Sequence, residues 1–191
     1  MPESSFDELI VAMKAAAGIL QQAEIPFVLG GGLSAWARGG PKSEHDVDLL
    51  VRPKDAEEAL SAFEAEGWRT ERPPEGWLYK TWHENGALVD LIFNPASGPI
   101  TDQLIERAPI AEVMAVRVNV STLEDVMTAK LMAITEQEPD YSAALEWARA
   151  LREQIDWDIV RQRTEASPFA KAFFTLVESL GVVDSETVNA G

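Results

Sequence analysis

Two aspartates stand one residue apart at the start of the segment Asp46-Val47-Asp48-Leu49-Leu50-Val51. The apolar residues of this segment predict a β-strand, and residues i and i+2 of a strand project from the same face. Two carboxylates held this close repel each other unless a cation lies between them. Mg²⁺ prefers hard oxygen ligands and also bridges substrate phosphates, so Asp46 and Asp48 are candidate magnesium ligands.

A third carboxylate, Asp90, lies inside the apolar segment Val89-Asp90-Leu91-Ile92-Phe93, which predicts a buried strand. An unpaired carboxylate in such a strand is unfavourable because it loses its hydration. A metal site shared with Asp46 and Asp48 would remove that cost. A structural ion pair with an arginine or a lysine is the alternative.

Three consecutive glycines, Gly30 to Gly32, follow a short apolar strand predicted over 27–29 and precede a short helix predicted over 33–38. Backbone N–H groups of a glycine-rich turn that opens a helix can bind phosphates. A tight turn without a ligand is the alternative. A phosphate site that faces a carboxylate metal site is suited to phosphoryl or nucleotidyl transfer.

The composition excludes several other kinds of site. The 191 residues include no cysteine and two histidines, which excludes disulfides and thiolate metal sites and disfavours a histidine-rich zinc site. No apolar run has transmembrane length, and no signal peptide is recognisable, so we expect a cytoplasmic protein without membrane contacts. The net charge of −16 favours cationic ligands, including metals and aminoglycosides, and disfavours polyanions.

The predicted elements form a mixed α/β unit over residues 1–120 and a helical unit over 121–191. In the first unit the periodicity predicts helices over 5–22, 54–66 and 99–107 and strands over 46–51, 68–71, 77–83, 87–93 and 115–120. The Asn85-Gly86 pair predicts a hairpin between two of these strands. In the second unit, Lys130 lies on the apolar face of a helix, where its side chain either extends to solvent or reaches an anion.

The glycine turn and the three carboxylates together resemble the nucleotidyltransferase superfamily, which has the DNA polymerase β-like fold. The matching parts are Gly31-Gly32, then Asp46-Val47-Asp48-Leu49 after thirteen residues, and Val89-Asp90-Leu91. The segment 26–51 is similar to aminoglycoside and lincosamide nucleotidyltransferases and to small AbiE-type and MenT-type toxins. The resemblance covers roughly residues 6–135.

This resemblance implies a minimal nucleotidyltransferase fold, an α/β (α+β) arrangement in which a mixed sheet is flanked by helices and followed by a C-terminal helical unit. It implies that Asp46 and Asp48 bind Mg²⁺ and that Asp90 is a further ligand or a general base. Gly31 and Gly32 would contact the triphosphate. The family often has serine in the glycine turn, so Ser34 is a candidate for the missing hydroxyl contact. Lys130 corresponds to a lysine of the toxin-like members and is a candidate triphosphate ligand.

The expected reaction is Mg²⁺-dependent transfer of a nucleoside monophosphate from an NTP, such as ATP, to an acceptor hydroxyl. The acceptor is either a cationic small molecule, which the net charge favours, or the 3′ end of tRNA or another RNA, as in the toxin relatives. A cognate antitoxin protein is a candidate partner. The alternative function is a non-catalytic nucleotide-binding partner in a toxin–antitoxin pair. Asp140 has no assigned role. For the late arginines, which are Arg149, Arg152, Arg161 and Arg163, a solvated salt-bridged face is favoured.

Overall fold

A computed structural model gives the structure of the protein and describes residues 5–42 and 45–184. The strands are β1 (Phe27–Leu29), β2 (Asp46–Val51), β3 (Arg69–Glu71), β4 (Leu78–Trp82), β5 (Leu88–Ile92), β6 (Ile110–Val113) and β7 (Val116–Val120). The helices are α1 (Phe6–Gln22), α2 (Gly31–Trp36), α3 (Ala56–Ala65), α4 (Asp102–Arg107), α5 (Leu123–Ala133), α6 (Ser142–Leu151), α7 (Trp157–Thr164) and α8 (Pro168–Ser179). No helix in the described parts of the chain is both long enough and apolar enough to span a bilayer.

The strands form one sheet in the order β3-β4-β5-β2-β1-β7-β6. The pairs β2/β5 and β1/β7 are parallel, and the other neighbours are antiparallel. The sheet is therefore mixed and flanked by helices, which confirms the predicted fold class. The β4–β5 hairpin closes near Asn85-Gly86, as their turn propensity predicted.

One face of the sheet is covered by α1 and α3. Helix α1 begins with a capping box in which the Ser5 hydroxyl accepts from the Glu8 N–H and the Glu8 carboxylate accepts from the Ser5 N–H. The apolar faces of both helices pack on alternate residues of the central strands, among them Val47, Leu49, Val89 and Leu91. Since side chains alternate along a strand, the residues between these four point to the opposite face.

Helices α5 to α8 enclose a second apolar cluster, which includes Leu131, Phe173 and Val177. Helix α2 contributes Ala35 to this cluster, so the short helix after the glycine turn links the two cores. The two clusters divide along the chain close to residue 120, and we propose the same position as the boundary between the two units. The described part of the second unit ends at residue 184.

Strand β6 was not predicted from the sequence, and β7 begins at Val116 rather than at residue 115. The two strands form a hairpin whose turn residues, Met114 and Ala115, have φ angles of 51° and 68°. Turns with positive φ normally use glycine, asparagine or aspartate, and this turn contains none of them. The predicted helix over 99–107 begins later, because the Thr101 hydroxyl accepts from the Leu104 N–H and fixes Thr101 as the N-cap.

Candidate active site

The three predicted carboxylates meet on the face of the sheet opposite α1 and α3. Parallel pairing of β2 with β5 aligns Asp48 with Asp90, and Asp46 lies two residues before Asp48 on the same side. One carboxylate oxygen from each aspartate lies within 4.8 Å of the others. We call these three residues the triad. A set of three hard oxygen donors at this spacing fits a divalent cation such as Mg²⁺.

The electrostatics of the triad also favour a cation. Burial raises the pKa of Asp46, and burial together with the charges of Asp46 and Asp90 raises the pKa of Asp48 well above its usual range. Burial raises the pKa of Asp90 to about 6. Each shift reports that the ionised carboxylate is unfavourable where it stands, and a bound cation would reverse that preference.

Lys80 contacts the triad and was missed by the sequence analysis. Its Nζ lies 3.3 and 3.4 Å from the two carboxylate oxygens of Asp90. Strand pairing places Lys80, Asp90 and Asp48 in one row across β4, β5 and β2. Asp90 therefore belongs to the triad and also has the lysine partner that the structural alternative required. Counting residues outward from a three-residue turn over 84–86, which pairs His83 with Ala87, would have placed Lys80 opposite Asp90.

Position 31 requires a glycine because the side chain of Asp48 packs against it. A Cβ atom at Gly31 would lie 1.6 Å from the Oδ2 atom of Asp48, and the φ angle of Gly31 is +51°. The Gly30 N–H also donates to the Asp48 carbonyl at 2.9 Å. The glycine turn is thus packed directly against a triad carboxylate. Gly31 and Gly32 form the first turn of α2, where backbone N–H groups have no intrahelical acceptor.

Ser34 is placed differently from the other predicted residues. Its side chain is fully buried, and its Oγ donates to the carbonyl of Gly31 at 2.8 Å. The hydroxyl therefore supports the glycine turn from inside and does not line the cleft described next. The expected hydroxyl contact from Ser34 to a substrate is not supported by this geometry.

A cleft of about 620 Å³ opens above the triad, between the sheet and the C-terminal helices. The triad, Gly31, Gly32 and Lys130 all line it. Lys130 is half-buried, and its charge lowers the pKa of Asp46 and Asp48, so it faces the carboxylates rather than distant solvent. Trp77 also lines the cleft and is 39% exposed, which leaves an aromatic face available to a ligand.

Arg163 and Asp140, which had no assigned role from the sequence, lie in different surroundings. Arg163 was expected on a solvated face, yet it lines the cleft together with Arg107. Both arginines bind the carboxylate of Asp125. These three residues come from α4, α5 and α7, so neither spacing nor periodicity indicated that they meet. Asp140 is exposed and accepts from the Ser142 N–H at 2.9 Å, which is a helix-start contact outside the cleft.

The triad should make the metal-free protein less stable as pH rises. The pKa of Asp90 is raised to about 6 in the fold, above the value of an unfolded aspartate, so its contribution is lost as pH rises through that value. We expect the melting temperature in EDTA to fall between about pH 4 and about pH 7, and Mg²⁺ to stabilise the protein more at the higher pH. Thermal unfolding with and without Mg²⁺ measures both effects.

Asp90→Asn is the control for this prediction, because it removes the titrating group. In this variant the melting temperature in EDTA should depend less strongly on pH than in the natural protein. An equal Mg²⁺ effect at both pH values would contradict a cation site at the triad.

Comparison with solved structures supports the same fold. The antibiotic-resistance factor ANT(2″)-Ia is similar over 90% of this chain and 96% of its own, with a TM-score of 0.57 and 17% identity. The lincosamide antibiotic adenylyltransferase LnuA is similar over 80% of this chain and 99% of its own, with a TM-score of 0.51 and 13% identity. An antigenic nucleotidyltransferase-like protein from Paracoccidioides brasiliensis is similar over 93% of this chain and 90% of its own, with a TM-score of 0.52 and 14% identity.

At these identities the similarity concerns the fold. No curated protein matches the sequence. A family model does match, over residues 10–173, a span that contains the glycine turn, the triad and the C-terminal wall of the cleft. The chain therefore belongs to the nucleotidyltransferase family described as "Nucleotidyl transferase of unknown function (DUF2204)".

Proposed function

We propose that the protein transfers a nucleoside monophosphate from an NTP to a hydroxyl group of an acceptor, in a Mg²⁺-dependent reaction that releases pyrophosphate. The observation that carries the proposal is the triad, in which one carboxylate oxygen of each residue lies within 4.8 Å of the others on the floor of the cleft. Membership of a nucleotidyltransferase family supports the reaction class.

The triad residues Asp46, Asp48 and Asp90 would hold the metal. Mg²⁺ bound there would neutralise phosphate charge and polarise the reacting phosphoryl group. The acceptor oxygen forms a bond to the α-phosphorus, the bond from that phosphorus to the bridging oxygen breaks, and pyrophosphate leaves. Asp90 has two candidate roles, as a third ligand or as the base that takes the acceptor proton.

The glycine turn and Lys130 would bind the triphosphate. Gly31 and Gly32 offer backbone N–H donors in the first turn of α2, whose N-cap residue, Gly30, supplies no side-chain cap. Lys130 brings a positive charge to the same cleft, near Asp46 and Asp48. Trp77, exposed at the cleft, is a candidate surface on which a base stacks.

The acceptor has two candidate classes. Small molecules are one, since ANT(2″)-Ia has been solved with adenylyl-2″-tobramycin and LnuA with lincomycin. The second candidate acceptor is the 3′ end of tRNA or another RNA, which is proposed because the sequence resembles small toxins. A cognate antitoxin would accompany the second class.

A label-transfer assay tests the proposal. The protein is incubated with Mg²⁺ and each α-labelled NTP, with total tRNA in one set and an aminoglycoside and lincosamide panel in the other. We expect label on one acceptor class, lost on chelation and in Asp46→Asn. Asp7→Asn, which removes an exposed carboxylate of α1, should transfer label like the natural protein. Equal transfer by Asp46→Asn would refute the assignment of the triad.

A further inference from the structure

The cleft contains a second charged region, formed by Arg107, Asp125 and Arg163. Arg107 donates from Nε and Nη2 to the two Asp125 oxygens at 2.9 and 2.6 Å. Arg163 donates from Nη1 to Asp125 Oδ1 at 2.8 Å. The Asp125 side chain is 8% exposed. Two guanidinium groups share one buried carboxylate, so the region carries a net positive charge.

Both arginines keep donors for another anion. A guanidinium has five N–H donors, and Asp125 engages two nitrogens of Arg107 and one of Arg163. Their side chains are 40% and 35% exposed, and both line the cleft. Within residues 5–42 and 45–184, neither has an ion pair with a second carboxylate. Two neighbouring guanidinium groups that are partly exposed and keep unused N–H donors are suited to bind a phosphate group.

Thr128 supplies an independent observation. It lies three residues after Asp125 on α5, so the two side chains are neighbours on one helix face. Thr128 is 7% exposed and lines the cleft, and its Oγ1 has no hydrogen-bond partner within the described residues. A buried hydroxyl without a partner is unfavourable, and a ligand oxygen in the cleft would remove that cost.

The charged region is distinct from the end of the cleft that faces the triad. The positive charges that act on the triad carboxylates are those of His45, Lys80 and Lys130. Among the described residues that line the cleft, the carboxylates are the triad and Asp125, and Asp125 is already paired. The cleft therefore offers no spare carboxylate to a polycation, despite the net charge of −16.

We propose that Arg107, Arg163 and Thr128 form an acceptor subsite that binds a phosphate group of the acceptor. The proposal rests on the proposed function and narrows its acceptor to a phosphate-bearing molecule, either an RNA end or a phosphorylated small molecule. A polycationic acceptor does not fit this subsite.

Titration of the full chain with pyrophosphate in EDTA tests the subsite without any transfer reaction. We expect Arg163→Gln and Thr128→Val each to weaken pyrophosphate binding, by about tenfold for the arginine variant. Arg149→Gln removes the same charge from an exposed position on α6 outside the cleft and should bind like the natural protein. Thr128→Val should fold normally, because its hydroxyl has no partner to lose within the described residues.

A second titration separates the acceptor from the nucleotide. Arg163→Gln should bind the Mg²⁺ complex of α,β-methylene-ATP as tightly as the natural protein does. If that affinity falls as much as the pyrophosphate affinity, the arginines serve the NTP and the proposal is wrong. Unchanged pyrophosphate binding in both variants would also refute it. Because neither titration needs turnover, this result is independent of the label-transfer assay.

The source of the phosphate is distinguished by two further probes, a single-stranded RNA trinucleotide and ribose 5-phosphate. Weaker binding of the trinucleotide alone in Arg163→Gln assigns the subsite to RNA. Weaker binding of ribose 5-phosphate alone assigns it to a small molecule. Either result supports a phosphate-binding acceptor subsite.

Discussion

Asp48→Asn is expected to lower nucleotidyl transfer by about a thousandfold while it stabilises the metal-free protein. Asp48 is the triad member on which the charges of both Asp46 and Asp90 act, and burial adds to the cost of ionising it. An asparagine of the same shape removes one of three mutually repelling charges and can donate to its neighbours. We expect the free energy of unfolding in EDTA to rise by about 1–3 kcal/mol near neutral pH.

Two measurements check this result, steady-state label transfer and denaturant unfolding in EDTA. Asp158→Asn, at an exposed position on α7, is the matched control and should change neither quantity appreciably. Addition of Mg²⁺ should reverse the order of stability, because the natural triad gains a cation that the variant binds weakly. If metal-free Asp48→Asn is less stable than the natural protein, the three triad carboxylates do not repel one another as expected.

Gly31→Ala is expected to reduce transfer by about a hundredfold or more and to destabilise the fold by about 2 kcal/mol. The added methyl group would lie 1.6 Å from the Oδ2 atom of Asp48, so the carboxylate or the turn must move. Movement of Asp48 separates the triad oxygens, and movement of the turn withdraws the N–H donors of α2. Both changes act on catalysis, whereas the positive φ angle of Gly31 acts on stability alone.

Gly181→Ala separates these two causes. Gly181 has a φ angle of +66° and open space where its Cβ would be. In Gly181→Ala, backbone strain should therefore lower the free energy of unfolding by about 1 kcal/mol and leave transfer unchanged. Activity in Gly31→Ala close to that of Gly181→Ala would contradict the contact with Asp48. Transfer and thermal unfolding of the two variants, measured side by side, distinguish backbone strain from the contact with Asp48.

Much of the site was predictable because its residues carry strong local signals. The carboxylates of Asp46, Asp48 and Asp90 stand out inside apolar strands, and glycine runs mark turns. Lys130 could be recognised by its charge on an apolar helix face. The fold class followed from the order of elements together with the resemblance to a known superfamily, and family membership and the structure confirm it.

The rest depends on long-range pairing that local patterns do not encode. Arg107, Asp125 and Arg163 lie on three helices and meet only in the assembled cleft. Strand β6 was missed because its turn uses Met114 and Ala115 at positive φ, without glycine or asparagine. The sequence did not indicate that Ser34 is buried, because proximity to the glycine turn does not reveal which way a helical side chain points.

The parallel alignment of β2 with β5 has a consequence for how the chain finds its native pairing. A shift of β2 by one residue would exchange its two faces, because the side-chain period of a strand is two. Asp46 and Asp48 would then lie in the apolar core beneath α1 and α3, and Val47 and Leu49 would face the cleft. Carboxylates buried under helices are far more unfavourable than carboxylates at the cleft. Asp46 and Asp48 destabilise the metal-free native protein. During folding, the same two residues disfavour the pairing in which β2 is shifted by one residue.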